Sequence, residues 1–188
     1  MLYMVFRRLI GAKTAKKMSL KAHAKYMKVY TIERIQTLHT TIDKAWEFFS
    51  SPKNLCVITP GHMNFKILFG SGEDKIYAGQ MVHYSICVLP GLPVYWLTEI
   101  TQVREPHYFV DEQRRGPYKL WQHQHHIKEV NNGIEMTDIV NYAIPLGIVG
   151  RLANDMFVEK RVNAIFDYRF KALEELFKDD KTKIRKSA

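Results

Sequence analysis

A chain of 188 residues with 46% hydrophobic and 12% aromatic side chains suits one domain that buries about 70% of its unfolded surface, enough for a core or a core with a hollow in it. The net charge of +9 belongs to the ends: residues 1–26 carry seven Lys/Arg and no acid, 178–188 carry five against two Asp, and 27–177 hold sixteen basic against seventeen acidic residues. A nucleic-acid reader would wear its positive face on the packed domain, so this balance speaks against one.

Cys56 and Cys87 show no C-x-x-C spacing, which argues against a disulfide framework or structural zinc and for two reduced thiols packed as small hydrophobes. Residues 1–26 have a six-residue apolar start broken by Arg7 and Arg8, too short for a secretory signal or a membrane span. Three readings of this extension stay open: a start upstream of a natural one at Met27, a basic arm for weak contact with anionic membrane, or an organelle-targeting peptide. Patterned sequence begins at Met27, which favours the first. No segment approaches 18 uninterrupted apolar residues, so a soluble, cytoplasmic protein is expected. The domain boundaries follow as 1–26, 27–177 and a basic tail at 178–188.

Val29 to Leu38 has strand composition. Thr40-Thr41 then caps a helix marked by Ile42, Ala45, Trp46, Phe48 and Phe49, and Ser51-Pro52 opens a second short helix that Pro60-Gly61 ends. From Met63 the period becomes two, predicting strands at 63–69, 79–89, 94–103, 107–114, 118–130 and 134–144. Short turns at Gly70-Ser-Gly72, Pro90-Gly91-Leu-Pro93, Glu105-Pro106, Arg115-Gly116-Pro117 and Asn131-Asn132-Gly133 imply an antiparallel meander. From about Leu152 to Phe177 runs one helix, its apolar stripe drawn by Val158, Val162, Ile165, Phe166, Phe170, Leu173 and Leu176. At 1.5 Å per residue it spans roughly 37 Å, enough to cross the sheet. The class is α+β: a curved antiparallel sheet of about seven strands around a long C-terminal helix. A straight helix cannot follow a concave sheet along its whole length, so an apolar pocket between them is expected.

Several stretches resemble the SRPBCC, or helix-grip, superfamily of START-related lipid-transfer domains, pollen-allergen-like proteins and polyketide cyclases. They are MKVYTIER at 27–34, AWEFFSSPKNLCVITP at 45–60, YAGQMVHY at 77–84, WLTEITQV at 96–103, FVDEQRRGPYKLWQHQHH at 109–126, MTDIVNYAIP at 136–145 and IFDYR at 165–169. The similarity is greatest to small bacterial ligand-binding members sometimes labelled cell-division inhibitors. It implies the helix-grip fold, but that scaffold serves carriers, sensors and cyclases alike, so function rests on the site.

The stretch WQHQHHIKE at 121–129 places Trp121, His123, His125 and Ile127 on one face of a strand. An H-x-H pair can hold a metal, with Glu129 on the same side, and Gly116 upstream suggests a cupin. The glycine-to-histidine spacing is off by one, no second motif supplies another ligand, and a jelly roll has no use for a long terminal helix. No resident metal and no cofactor are therefore expected. A two-residue turn at Asn131-Asn132 pairs Ile127 with Met136, His125 with Asp138, His123 with Val140 and Trp121 with Tyr142. A two-residue turn at Glu105-Pro106 sets Val103 opposite Tyr108, Thr101 opposite Val110 and Glu99 opposite Glu112. With Arg115 facing Tyr118, Glu112 falls opposite Trp121 and Val110 opposite His123. Glu99, Glu112, Trp121, His123, His125, Asp138 and Tyr142 then share one face, with Phe166 reaching them from the helix. A slip of one residue would bring in Asp111 and Gln113 for Glu112.

These residues predict a binding protein for a small hydrophobic or amphipathic ligand, lipid, isoprenoid or polyketide-like, walled by Trp96, Trp121, Phe109, Phe166 and Phe170. The alternative is a cyclase or dehydratase in which His123 or His125 is general base and Glu112 or Asp138 fixes its tautomer. A hydrogen-bond network that only satisfies buried polar groups explains the same set. A third class, an inhibitory interaction module, rests on the family label alone. No G-x-S-x-G, phosphate-cradling loop or activated cysteine appears. Oligomeric state is left open.

Overall fold

The computed structural model describes residues 27–69, 75–89 and 91–178. The extension 1–26, residues 179–188 and the turn residues 70–74 and 90 lie outside the described residues, with the expectations attached to them.

Strand β1 (Tyr30–Leu38) turns Ile32, Gln36 and Leu38 inward. Helix α1 (Ile42–Phe49) follows directly: Thr41, not Thr40, is its cap, its hydroxyl accepting from the Lys44 amide at 3.4 Å. Ile42, Ala45, Trp46 and Phe49 are the buried face. The second short helix is 3₁₀ in kind, Pro52–Cys56, and Pro60-Gly61 leads into a further 3₁₀ turn, Gly61–Met63, instead of ending the helical region. Cys56 is exposed and its thiol reaches the Lys53 carbonyl, so only half-buried Cys87 approaches the expected packed thiol.

Six strands follow: β2 (Lys66–Phe69), β3 (Met81–Leu89), β4 (Leu92–Arg104), β5 (Tyr108–Arg115), β6 (Leu120–Val130) and β7 (Gly133–Ala143). They form an antiparallel meander closed by β1 on the far side of β7, in the order β1-β7-β6-β5-β4-β3-β2. The β6–β7 register is the expected one throughout, from Val130 opposite Gly133 to Trp121 opposite Tyr142. Gly133 is required there, because its φ is +146° and a Cβ would lie 2.1 Å from the Leu38 carbonyl oxygen.

The β4–β5 and β5–β6 registers differ from expectation. Arg104 pairs with Tyr108 across a three-residue turn, so Val103 faces Phe109 and not Tyr108, and Gln102, not Thr101, faces Val110. A bulge at Thr101 then restores Glu99 opposite Glu112. Between β5 and β6 one extra residue enters the turn, so Asp111 lies opposite His123 and Glu112 opposite Gln122. The cause is Gln113, whose side-chain amide donates to the Tyr118 carbonyl at 2.6 Å and accepts from the Tyr118 amide at 3.2 Å, closing the turn as a backbone surrogate. Gly116 makes room for that amide: a Cβ would come 2.3 Å from Gln113 Oε1.

The C-terminal helix is three segments, α2 (Gly147–Ala153), a π-helical turn (Asn154–Val158) and α3 (Glu159–Leu176). Its buried line is Val162, Phe166, Arg169 and Leu173. Phe170, expected in the apolar wall, is 38% exposed, and Leu176 is also outside. The helix is rotated from its most apolar phase so that Arg169, 7% exposed, faces the sheet. Among the described residues no helix is long and apolar enough to cross a membrane.

Candidate functional site

Sheet and α3 enclose a cavity of about 180 Å³. Ile86, Trp96, Ile100, Phe109, Trp121 and Phe166 are among its apolar walls, and the short helices after β1 and the turn that follows contribute Phe49, Leu55 and Ile58. Tyr84 and Thr98 set one polar point on this surface, their hydroxyls 3.2 Å apart. Burial, with Asp111 nearby, pushes the Tyr84 phenol well up, so it remains protonated.

The second polar region holds four side chains from the sheet and one from the helix. H-x-H alternation turns His123 and His125 inward from β6 with their ring centroids 3.8 Å apart. Asp138 comes from β7 and Asp111 from β5. His123 Nε2 lies 3.0 Å from Asp138 Oδ1, and the same oxygen is 2.9 Å from His125 Nδ1. Asp111 Oδ2 is 3.0 Å from His125 Nε2 and 3.6 Å from His123 Nδ1. Arg169 Nη2 reaches Asp138 Oδ1 at 3.5 Å. Phe109 stacks on the His125 ring at 4.0 Å and 13°, and Phe166 meets His123 edge-on, which locks both rotamers.

Burial pulls the two imidazoles down, and their partners then separate them. For His125 the hydrogen bonds to Asp111 and Asp138 outweigh burial, so its pKa is raised. For His123 burial and the charge of His125 prevail, so its pKa is lowered. Asp138, though burial opposes its charge, is held well below the usual carboxylate range by Arg169 and both histidines. A His125 imidazolium between two carboxylates, with charged Arg169 and neutral His123, gives the cluster no net charge, and Arg169 Nη2 also comes within 3.4 Å of His125 Nδ1. His123 then donates from Nε2 to Asp138, and its Nδ1 lone pair is left beyond hydrogen-bond distance of Asp111.

Of the expected site residues, His123, His125, Trp121 and Phe166 line the cavity, and Asp138 lies directly behind the histidines. Tyr142 is fully buried; its hydroxyl donates to Asn154 Oδ1 at 3.0 Å, and burial with Glu159 pushes its pKa up to about 12. It supports Trp121 from behind and is absent from the cavity lining. Glu99 and Glu112 point to the other face of the sheet, where Arg114 binds Glu99 at 2.5 Å and Glu112 at 3.1 Å. Asp111 stands where Glu112 was expected. Glu129, which strand alternation sets on the histidine side, is exposed at the end of β6. Arg169 had a signal that went unused: it sits at i+7 from Val162 and i+3 from Phe166, a seam position where a charge needs a buried partner.

A curved antiparallel sheet of seven strands gripping a terminal helix defines the helix-grip fold, and solved structures share it with this chain. No family model and no curated protein matches the sequence. A protein from Chromobacterium violaceum aligns with a TM-score of 0.61 at 14% identity, over 79% of this chain and 97% of that one. Ginseng major latex-like protein from Panax ginseng gives 0.58 at 13% identity, over 79% and 97%. Norcoclaurine synthase from Thalictrum flavum, in complex with dopamine and hydroxybenzaldehyde, gives 0.56 at 15% identity, over 82% and 91%.

Proposed function

We propose that this protein binds a small, mainly apolar guest between sheet and α3, with a hydroxyl or carbonyl oxygen directed at the Asp111–His123–His125 group. The observation that carries the reading is an apolar cavity with a charge-balanced Asp–His wall and one further polar point at Tyr84 and Thr98. Its volume of about 180 Å³ lies just above the roughly 150 Å³ that accommodates benzene in an engineered protein cavity and below the about 300 Å³ at which drug-sized pockets begin. That favours a guest of one or two rings, or a short isoprenoid, over a long acyl chain. A structural neighbour that holds dopamine and hydroxybenzaldehyde supports guests of this size on this fold. A cytoplasmic location belongs to the same proposal, supported by two unpaired thiols.

The test is denaturing mass spectrometry of solvent extracts from protein purified without detergent, paired with titration of single-ring carbonyl and phenol compounds. A recurring small apolar compound, or saturable uptake of a titrated one, is expected. Repeated absence of both removes the reading.

One feature favours a second, enzymatic reading. Neutral His123 presents an Nδ1 lone pair beside the cavity while Asp138 fixes its tautomer through Nε2, the arrangement of a general base. His125, held between two carboxylates, would position it. If His123→Ala and His125→Ala both retain full turnover on an identified substrate, neither imidazole is the base.

A further inference from the structure

We propose that Asp111, His123 and His125 form a three-ligand site for a divalent transition-metal ion in the cavity wall. The sequence argued against a metal because it offered no third ligand beside the H-x-H pair. The observed β5–β6 register supplies one, placing Asp111 directly across from His123.

Two of the three donor separations already stand at ligand spacing. Metal bonds of about 2.0–2.2 Å at angles of 90–110° separate neighbouring donors by roughly 2.8–3.6 Å. Asp111 Oδ2 is 3.0 Å from His125 Nε2 and 3.6 Å from His123 Nδ1, and all three donors lie within 4.8 Å of one another. The opposite nitrogen of each ring faces one acceptor, Asp138 Oδ1, at 3.0 Å from His123 Nε2 and 2.9 Å from His125 Nδ1. A carboxylate behind a ligating imidazole fixes its tautomer and raises its basicity. Here one carboxylate serves two imidazoles, and Arg169 holds it from the helix side.

A divalent ion would take the place of the proton between His125 and Asp111, where two carboxylates face one guanidinium. Two imidazoles and one carboxylate suit zinc, cobalt or ferrous iron better than magnesium or calcium, which prefer oxygen ligands. All three ligands line the apolar cavity, so an ion held by them would border the space where a guest would lie. The bound ion would polarise a guest's oxygen as a Lewis acid. It would also occupy the His123 lone pair that the general-base reading requires, so those two assignments exclude each other. Guest binding itself depends on neither.

The test uses untagged full-length protein stripped with chelator and titrated with Zn(II) by calorimetry and with Co(II) by absorption and paramagnetic NMR. One ion per chain is expected, with hyperfine-shifted ring signals from His123 and His125. His123→Ala should weaken Zn(II) binding by more than about 100-fold, and Asp138→Asn by about 10–100-fold at unchanged stoichiometry. Absence of one-to-one binding overturns the proposal, as do shifted signals assigned to other histidines. The NMR reading needs only the wild-type chain, so a variant that fails to fold leaves it decisive. A failed metal titration alongside a guest found in extracts would reject the ion alone.

Discussion

Arg169→Met isolates the contribution of the buried cation on α3. The guanidinium lies 3.5 Å from Asp138 Oδ1, where an effective dielectric of about 20 gives roughly 5 kcal/mol of attraction. Part of that offsets the cost of burying the group, and removing one partner of a buried pair costs about 3–5 kcal/mol. His125 touches the same oxygen at 2.9 Å and keeps some compensation, which sets the expected loss near the lower bound, about 3 kcal/mol. For a domain of this size that is a fall in Tm of roughly 6–12 °C, measured by calorimetry on chelator-treated protein. Combined with Asp138→Asn, the double variant should be about 2 kcal/mol less destabilised than the two single losses added together. A cost for Arg169→Met below about 0.5 kcal/mol, or strict additivity in the cycle, would refute the reasoning that the ion pair sets the rotation of α3.

Two further outcomes are expected. Gly133→Ala should cost more than about 2 kcal/mol in urea denaturation, because the added Cβ meets the Leu38 backbone oxygen; Gly116→Ala should cost less, since the flexible Gln113 side chain can give way. Ile165→Trp, which fills the cavity from its half-buried position on α3, should abolish guest uptake while leaving Tm within a few degrees; uptake at wild-type affinity would place the guest elsewhere.

The fold was legible because its signals are local. The Asn131-Asn132-Gly133 turn admits one close pairing, and every β6–β7 partner follows from it. The change of period at Met63 and the heavy apolar stripe after Leu152 placed the meander and the terminal helix in order. The site was legible only in part, because one member depends on how a side chain closes a turn and another on an ion pair remote in sequence. Asp111 enters, and Glu112 leaves, through one residue in a turn whose length is set by the Gln113 amide folding back on Tyr118. Glu99 and Glu112 did pair, but only because the bulge at Thr101 cancels the longer turn before it; the pair then lies on the outer face with Arg114. Arg169 was hidden by apolar counting, which prefers Phe170 on the inner side. The helix instead turns Arg169 inward against Asp138 and leaves Phe170 outside.

The central claim is that the cavity receives a guest against its histidine wall, and imidazole ¹⁵N NMR of the chelator-treated protein tests it most directly. Before any addition, His123 should show the Nε2–H tautomer and His125 should be protonated on both nitrogens. During titration with single-ring carbonyl and phenol compounds, the His123 signals should move saturably while those of His62 and His83 stay fixed. Movement confined to those other histidines, or none across the whole series, would contradict the account.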